Sequence, residues 1–234
     1  MNNEQPVIAL RGVTKQYRER QILNDIDLTV HSGQVVGLIG PNGCGKTTVL
    51  RIVAGLVRAS KGEVWVGGYS LHENPGGIPP GIGVLFDPPG LLPHLTGLQN
   101  LRMLASLRHI IDEAEVQQWM TRVGLDPTNR TRVGAYSQGM LQRLGIAQAL
   151  MEAPHILILD EPTHALDPDS VALVATLIRE QQACGAAILV ASHHLEEVAR
   201  VCTDVFKMAQ GRLIPAADSD LQRYQPEDQG LQPR

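Results

Sequence analysis

The stretch Gly40-Pro41-Asn42-Gly43-Cys44-Gly45-Lys46-Thr47 constrains this chain more than any other. It matches G-x-x-x-x-G-K-[ST] in full. Val35–Ile39 ahead of it is continuously apolar, as in a strand buried on both faces. Behind it, Val49, Leu50, Val53, Leu56 and Val57 recur at spacings of three and four and line one helix face. A strand, a glycine turn and a helix therefore follow one another. Glycines permit positive φ, so successive N–H groups can point inward at phosphate oxygens. The helix N-terminus adds partial positive charge. In this arrangement Lys46 neutralises the β and γ phosphates of a nucleotide and Thr47 places a hydroxyl on Mg²⁺. A chance loop match is the alternative, and the flanking strand and helix weigh against it. Cys44 takes a variable position of the loop. It reads as a small residue whose backbone matters, although a thiol near a helix N-terminus can have a lowered pKa.

Further strand signals are Val7–Leu10, the alternating Ile26–Val30, Val64–Val66 and Ile82–Phe86. From Leu98 to about Met151 the pattern is helical, with breaks at Gly124–Pro127 and near Gly134. Strands return at Ile156–Leu159 and Ala187–Val190, separated by a helix over Ser170–Gln182. Alternation of this kind predicts an α/β fold with a mainly parallel sheet. The helical stretch, about 88–152, reads as an insertion, and the Asp-, Gln- and Pro-rich tail beyond Pro215 as loosely ordered.

A length of 234 residues suits a single domain with such an insertion, and leaves no room for a fused membrane path. The balance of 20 basic against 24 acidic side chains disfavours a nucleic-acid binder. No apolar run approaches the roughly 18 residues of a membrane helix, and Met1–Pro6 lacks the apolar core of a secretory signal. A soluble, cytoplasmic chain is expected. Cys44, Cys184 and Cys202 have no metal-ligand spacing, and their odd number argues against a disulfide framework.

Ile156–Leu159 runs into Asp160-Glu161. Ligands of open parallel sheets bind at the carboxyl ends of strands. Asp160 there can hold Mg²⁺, and Glu161 can polarise the water that attacks the γ-phosphate. Neighbours on a strand face opposite ways, so the two acids should have different tasks. A solvated acidic turn is the plainer reading when the pair is taken alone.

Together the phosphate loop and the acid pair define a P-loop ATPase. Four further features make residues Val7 to Ile214 resemble the nucleotide-binding subunit of an ABC transporter. Tyr136-Ser137-Gln138-Gly139-Met140 lies where that family carries L-S-G-G-Q, keeping the serine and the second glycine. A Ser at a helix start followed by Gly offers a hydroxyl and free N–H groups to an anion. An ordinary helix cap fits the same residues. His193 follows the strand Ala187–Val190 at the family's switch histidine, with His194 expected to point elsewhere. Ala165-Leu166-Asp167 is similar to the D-loop, and Asp167 before Pro168 also reads as a helix N-cap. Tyr17 sits where the family stacks an aromatic on adenine; a half-buried strand tyrosine is the alternative.

One departure stands out. The family's glutamine after the strand Ile82–Phe86 is Asp87 here. An acid can still reach Mg²⁺ or a water, but it adds negative charge beside the phosphates. The Y-S-x-G-M form and the stretch Gly83–Pro89 resemble bacitracin- and lantibiotic-type exporter ATPases.

The resemblance implies the ABC type of P-loop fold, with N-terminal antiparallel strands. It implies ATP and Mg²⁺ as ligands, held by Gly40–Thr48, Tyr17, Asp87 and Asp160, with Glu161 and His193 catalytic. It further implies a head-to-tail dimer, in which Ser137, Gln138 and Gly139 cover the other subunit's ATP. An integral membrane permease would be the other partner, placing the chain on the cytoplasmic face of the membrane. An exporter subunit is expected; an importer subunit or a soluble non-transport ATPase of the same fold are the alternatives.

Overall fold

The computed structural model describes residues 5–216 except 195, 197 and 198. Met1–Glu4 and the tail from 217 onward lie outside the described residues, and with them the expectation of a loosely ordered tail.

The chain opens with a long hairpin, β1 (Ile8–Tyr17) and β2 (Arg20–Val30). Ile26, Leu28 and Val30 are buried while Asp27 and Thr29 are exposed, the period of two that lays one face on a core. β4 (Lys61–Val66) and the short β5 (Tyr69–Ser70) complete an antiparallel sheet in the order β2-β1-β4-β5.

A second sheet has six strands. β3 (Val35–Ile39), β6 (Ile82–Leu85), β7 (Ile156–Asp160) and β8 (Ala187–Ser192) pair in parallel with β9 (Asp204–Ala209), and β10 (Arg212–Pro215) closes the edge antiparallel. The order is β10-β9-β3-β8-β7-β6. Every residue of β3, β7 and β8 is buried, so these strands read as continuous apolar runs. Alternate residues then serve different layers. Val36, Leu38, Ile156, Ile158, Leu189 and Ala191 join the core under the antiparallel sheet and α1 (Lys46–Val53). Leu157, Leu159, Ile188 and Val190 join the core on the other face, with α5 (Pro168–Ala183) and the helices between β6 and β7.

Those intervening helices are α2 (Gly97–Arg108), α3 (Glu113–Arg122) and α4 (Gln138–Leu150). The expected breaks near Gly124 and Gly134 occur, the second beside a short 3-10 turn at Val133–Ala135. A further break at His109–Asp112 had no glycine or proline to mark it. His109 takes the left-handed conformation that ends α2, at φ 53°. Asp112 caps α3 and forms a reciprocal capping box with Glu115. β9 and β10 have no clear strand pattern in the sequence: β9 mixes Asp204 and Lys207 with apolar residues, and β10 is a mostly exposed edge strand.

Candidate functional site

The phosphate loop leaves the end of β3 and enters α1. Gly45, with φ 114°, is the residue before the helix, and no side chain caps the helix start. The first-turn N–H groups are thus open to an anion. Two glycines are sterically required. A Cβ on Gly40 (φ 152°) would lie 2.7 Å from the Met208 carbonyl oxygen, and one on Gly45 would lie 2.8 Å from Leu23 Cδ2. Lys46 is only 5% exposed and its Nζ donates to the Gly40 carbonyl at 2.7 Å and to Pro41 at 3.4 Å. A buried ammonium needs such partners.

A cavity of about 450 Å³ opens beside the loop. Asn42, Gly43, Gly45, Lys46, Thr47 and Thr48 form one wall. Gly40, Pro41 and Cys44 lie outside that wall. Cys44 packs instead against the core under α1, as a small filler does. Tyr17 and Arg20, from the tip of the first hairpin, form the far wall with Ile22. Tyr17 is 48% exposed, and Lys15 Nζ lies over one face of its ring, 4.5 Å from the centre.

Asp160 and Glu161 close the cavity from the end of β7, two strands away from β3. They differ as adjacent strand residues should. Asp160 is 3% exposed, and its Oδ1 has no hydrogen-bond partner among the described residues. Burial chiefly pushes its carboxyl above the usual range, opposed by a hydrogen bond from the Thr47 hydroxyl. A buried acid with an orphaned oxygen next to a threonine hydroxyl fits a divalent cation, which would neutralise the charge and fill the vacant acceptor.

Glu161 sits in the left-handed region at φ 49°, fixed there by its N–H donating to Ala191 O at 2.8 Å. Its Oε2 accepts from His193 Nδ1 at 2.9 Å and from the His193 backbone N–H at 3.3 Å. Oε1 stands 3.9 Å from Lys46 Nζ. A carboxylate held this way beside the buried Lys46 ammonium has the arrangement of a general base. The rings of His193 and His194 lie 3.8 Å apart, and neither residue lines the cavity.

Asp87 also lines the cavity, and its Oδ2 meets His164 Nδ1 at 2.9 Å. Ser137, Gln138 and Gly139 do not line it. Ser137 caps α4, accepting from the Met140 N–H at 3.2 Å. Asp167 caps α5 and accepts from the Ser170 N–H at 2.8 Å. Two residues of the site carried no expectation. Gln142, on α4 and 3% exposed, donates to the Glu161 carbonyl at 2.8 Å. His164 is the other. The sequence signal for Gln142 is a polar residue among the buried, mostly apolar positions of α4.

A glycine loop between a buried strand and a helix, with a lysine at its mouth and an acid pair two strands away, defines a P-loop nucleotide-binding domain. The family described as ABC transporter matches residues 23–164, and the chain belongs to it as an ATP-binding protein. It is 36% identical to the uncharacterized ABC transporter ATP-binding protein YybJ of Bacillus subtilis (strain 168), over 88% of this chain and 94% of that one. Identity to the bacitracin transport ATP-binding protein BcrA of Enterococcus faecalis is also 36%, over 89% of this chain and 68% of that one. Among solved structures, the dimeric bacterial ABC transporter cassette MJ0796 superposes with a TM-score of 0.79 at 25% identity, over 88% of this chain and 96% of that chain.

Proposed function

We propose that this chain is the ATP-hydrolysing engine of a membrane exporter for a drug, antibiotic or peptide. The observation that carries hydrolysis is Glu161, held by His193 on one oxygen and facing Lys46 with the other. Gly40–Thr48 would hold the ATP phosphates and Tyr17 would stack on adenine, while Thr47 and Asp160, with Asp87 at the cavity wall, would hold the Mg²⁺ that offsets the phosphate charge. Glu161 takes the proton of the attacking water, and His193 orients it. Export is favoured by the likeness to BcrA, whose name describes bacitracin transport. No described helix is long and apolar enough to cross a membrane. In this reading a separate integral membrane permease supplies the path, and the chain sits against it at the cytoplasmic face.

Ser137, Gln138 and Gly139 lie away from the cavity of their own chain, which supports a head-to-tail dimer in which they cover the partner's ATP. The dimeric cassette MJ0796 offers the pattern. Purification of the tagged chain from detergent-solubilised membranes tests the reading. A permease is expected to co-purify, and vesicles carrying both are expected to move substrate only with ATP and Mg²⁺. Recovery with ribosomes or DNA and no membrane protein would overturn it.

A further inference from the structure

Asp87 brings a charge into the nucleotide cavity, and His164 holds it. The acids lining that cavity are Asp87, Asp160 and Glu161; the cations are Lys46 and Arg20. Lys46 already serves the Gly40 carbonyl and faces Glu161. A third carboxylate beside a triphosphate repels it unless that carboxylate is engaged elsewhere.

The turn after Glu161 supplies the engagement. The His164 backbone N–H donates to the Glu161 carbonyl at 3.1 Å, and Leu166 N–H donates to Thr163 O at 3.2 Å. Ala165 takes the left-handed conformation at φ 60°. The turn is thereby a set of closed local bonds, and His164 projects from it to the end of β6. A carboxylate only accepts, so Nδ1 carries the proton whichever charge the ring bears. The hydrogen bond needs no protonation change.

We propose that His164 is a positioning residue for nucleotide binding: its Nδ1–H holds Asp87 against the turn that follows Glu161 and stops that carboxylate, at the cavity wall, from swinging further toward the phosphates. Sequence alone offered only the departure at Asp87; the partner is 77 positions away. The proposal rests on the cavity being the ATP site.

The test is a double-mutant cycle on the full chain, read as equilibrium affinity for ATP with Mg²⁺, and as KM and kcat. His164→Ala is expected to weaken ATP affinity and raise KM about three- to tenfold, with kcat within about twofold. In the Asp87→Gln background, where the charge is gone, the same truncation is expected to change affinity by less than about 1.5-fold. An equal loss in both backgrounds overturns the proposal, as does a loss confined to kcat, or no loss. The half-exposed His164 tolerates truncation without loss of core packing. Absence of ATP binding by the unmodified chain would instead overturn the function proposed above, so the two failures are distinct.

Discussion

His193 places Nδ1 2.9 Å from Glu161 Oε2 and adds its backbone N–H to the same oxygen at 3.3 Å. Two donors on one oxygen fix the carboxylate plane, leaving Oε1 toward Lys46. The acceptor role of Oε2 puts the proton on Nδ1. Glu161→Gln is expected to lower ATP turnover about 100-fold or more with ATP binding retained. His193→Ala is expected to act through the same group, so the double variant should be no slower than Glu161→Gln alone. Steady-state hydrolysis of the three variants measures this; additive losses would separate the residues.

Asp160 is costly to the empty fold. Burial raises its carboxyl pKa, so the ionised form opposes folding at neutral pH, and that penalty fades as pH falls through the folded value. Asp160→Asn is expected to raise the melting temperature of the nucleotide-free protein by about 2–4 °C. It should also abolish the extra stabilisation that Mg²⁺ adds to ATP. Thermal melts with ATP, with and without Mg²⁺, read both effects.

Gly40→Ala confronts a carbonyl. The new methyl would lie 2.7 Å from Met208 O and 3.0 Å from Cys44 Sγ, at a φ of 152°. A cost of about 1–3 kcal/mol is expected in urea unfolding, with ATP affinity reduced at least about tenfold as the loop shifts.

Asp167 gives a pH signature. Hydrogen bonds from the Ser170 backbone N–H and hydroxyl hold its carboxyl below the usual range. A depressed folded pKa contributes stability above the unfolded value and loses it as pH falls through the folded one. Asp167→Ala is expected to lower the melting temperature by about 2–4 °C at pH 7, with the difference shrinking below about pH 4. Asp167→Asn keeps a capping oxygen and should hold more of the stability across that range.

Local chemistry was legible along the chain. Val35–Ile39 reads as a strand and is one, because a five-residue apolar run ahead of a glycine turn is too short for a buried helix and fits a strand covered on both faces. Pro168 after Asp167 reads as a helix start and is one. The phosphate loop is a local object, with its glycines, lysine and threonine within eight residues. Relations across the sheet were not legible. Strand order, the closure of Glu161 on His193 and the bond from Gln142 to the Glu161 carbonyl depend on parallel pairing of β7 with β8 and the seating of α4.

The sequence by itself determined the phosphate loop, the acid pair and the alternation of strands and helices, since spacing within one element follows from backbone geometry alone. Only the tertiary structure decided which oxygen of Glu161 meets which nitrogen, that Asp160 keeps an orphaned acceptor, and that Asp87 is answered by His164. Those facts arise where separate elements end side by side, and the packing of two layers sets their distances.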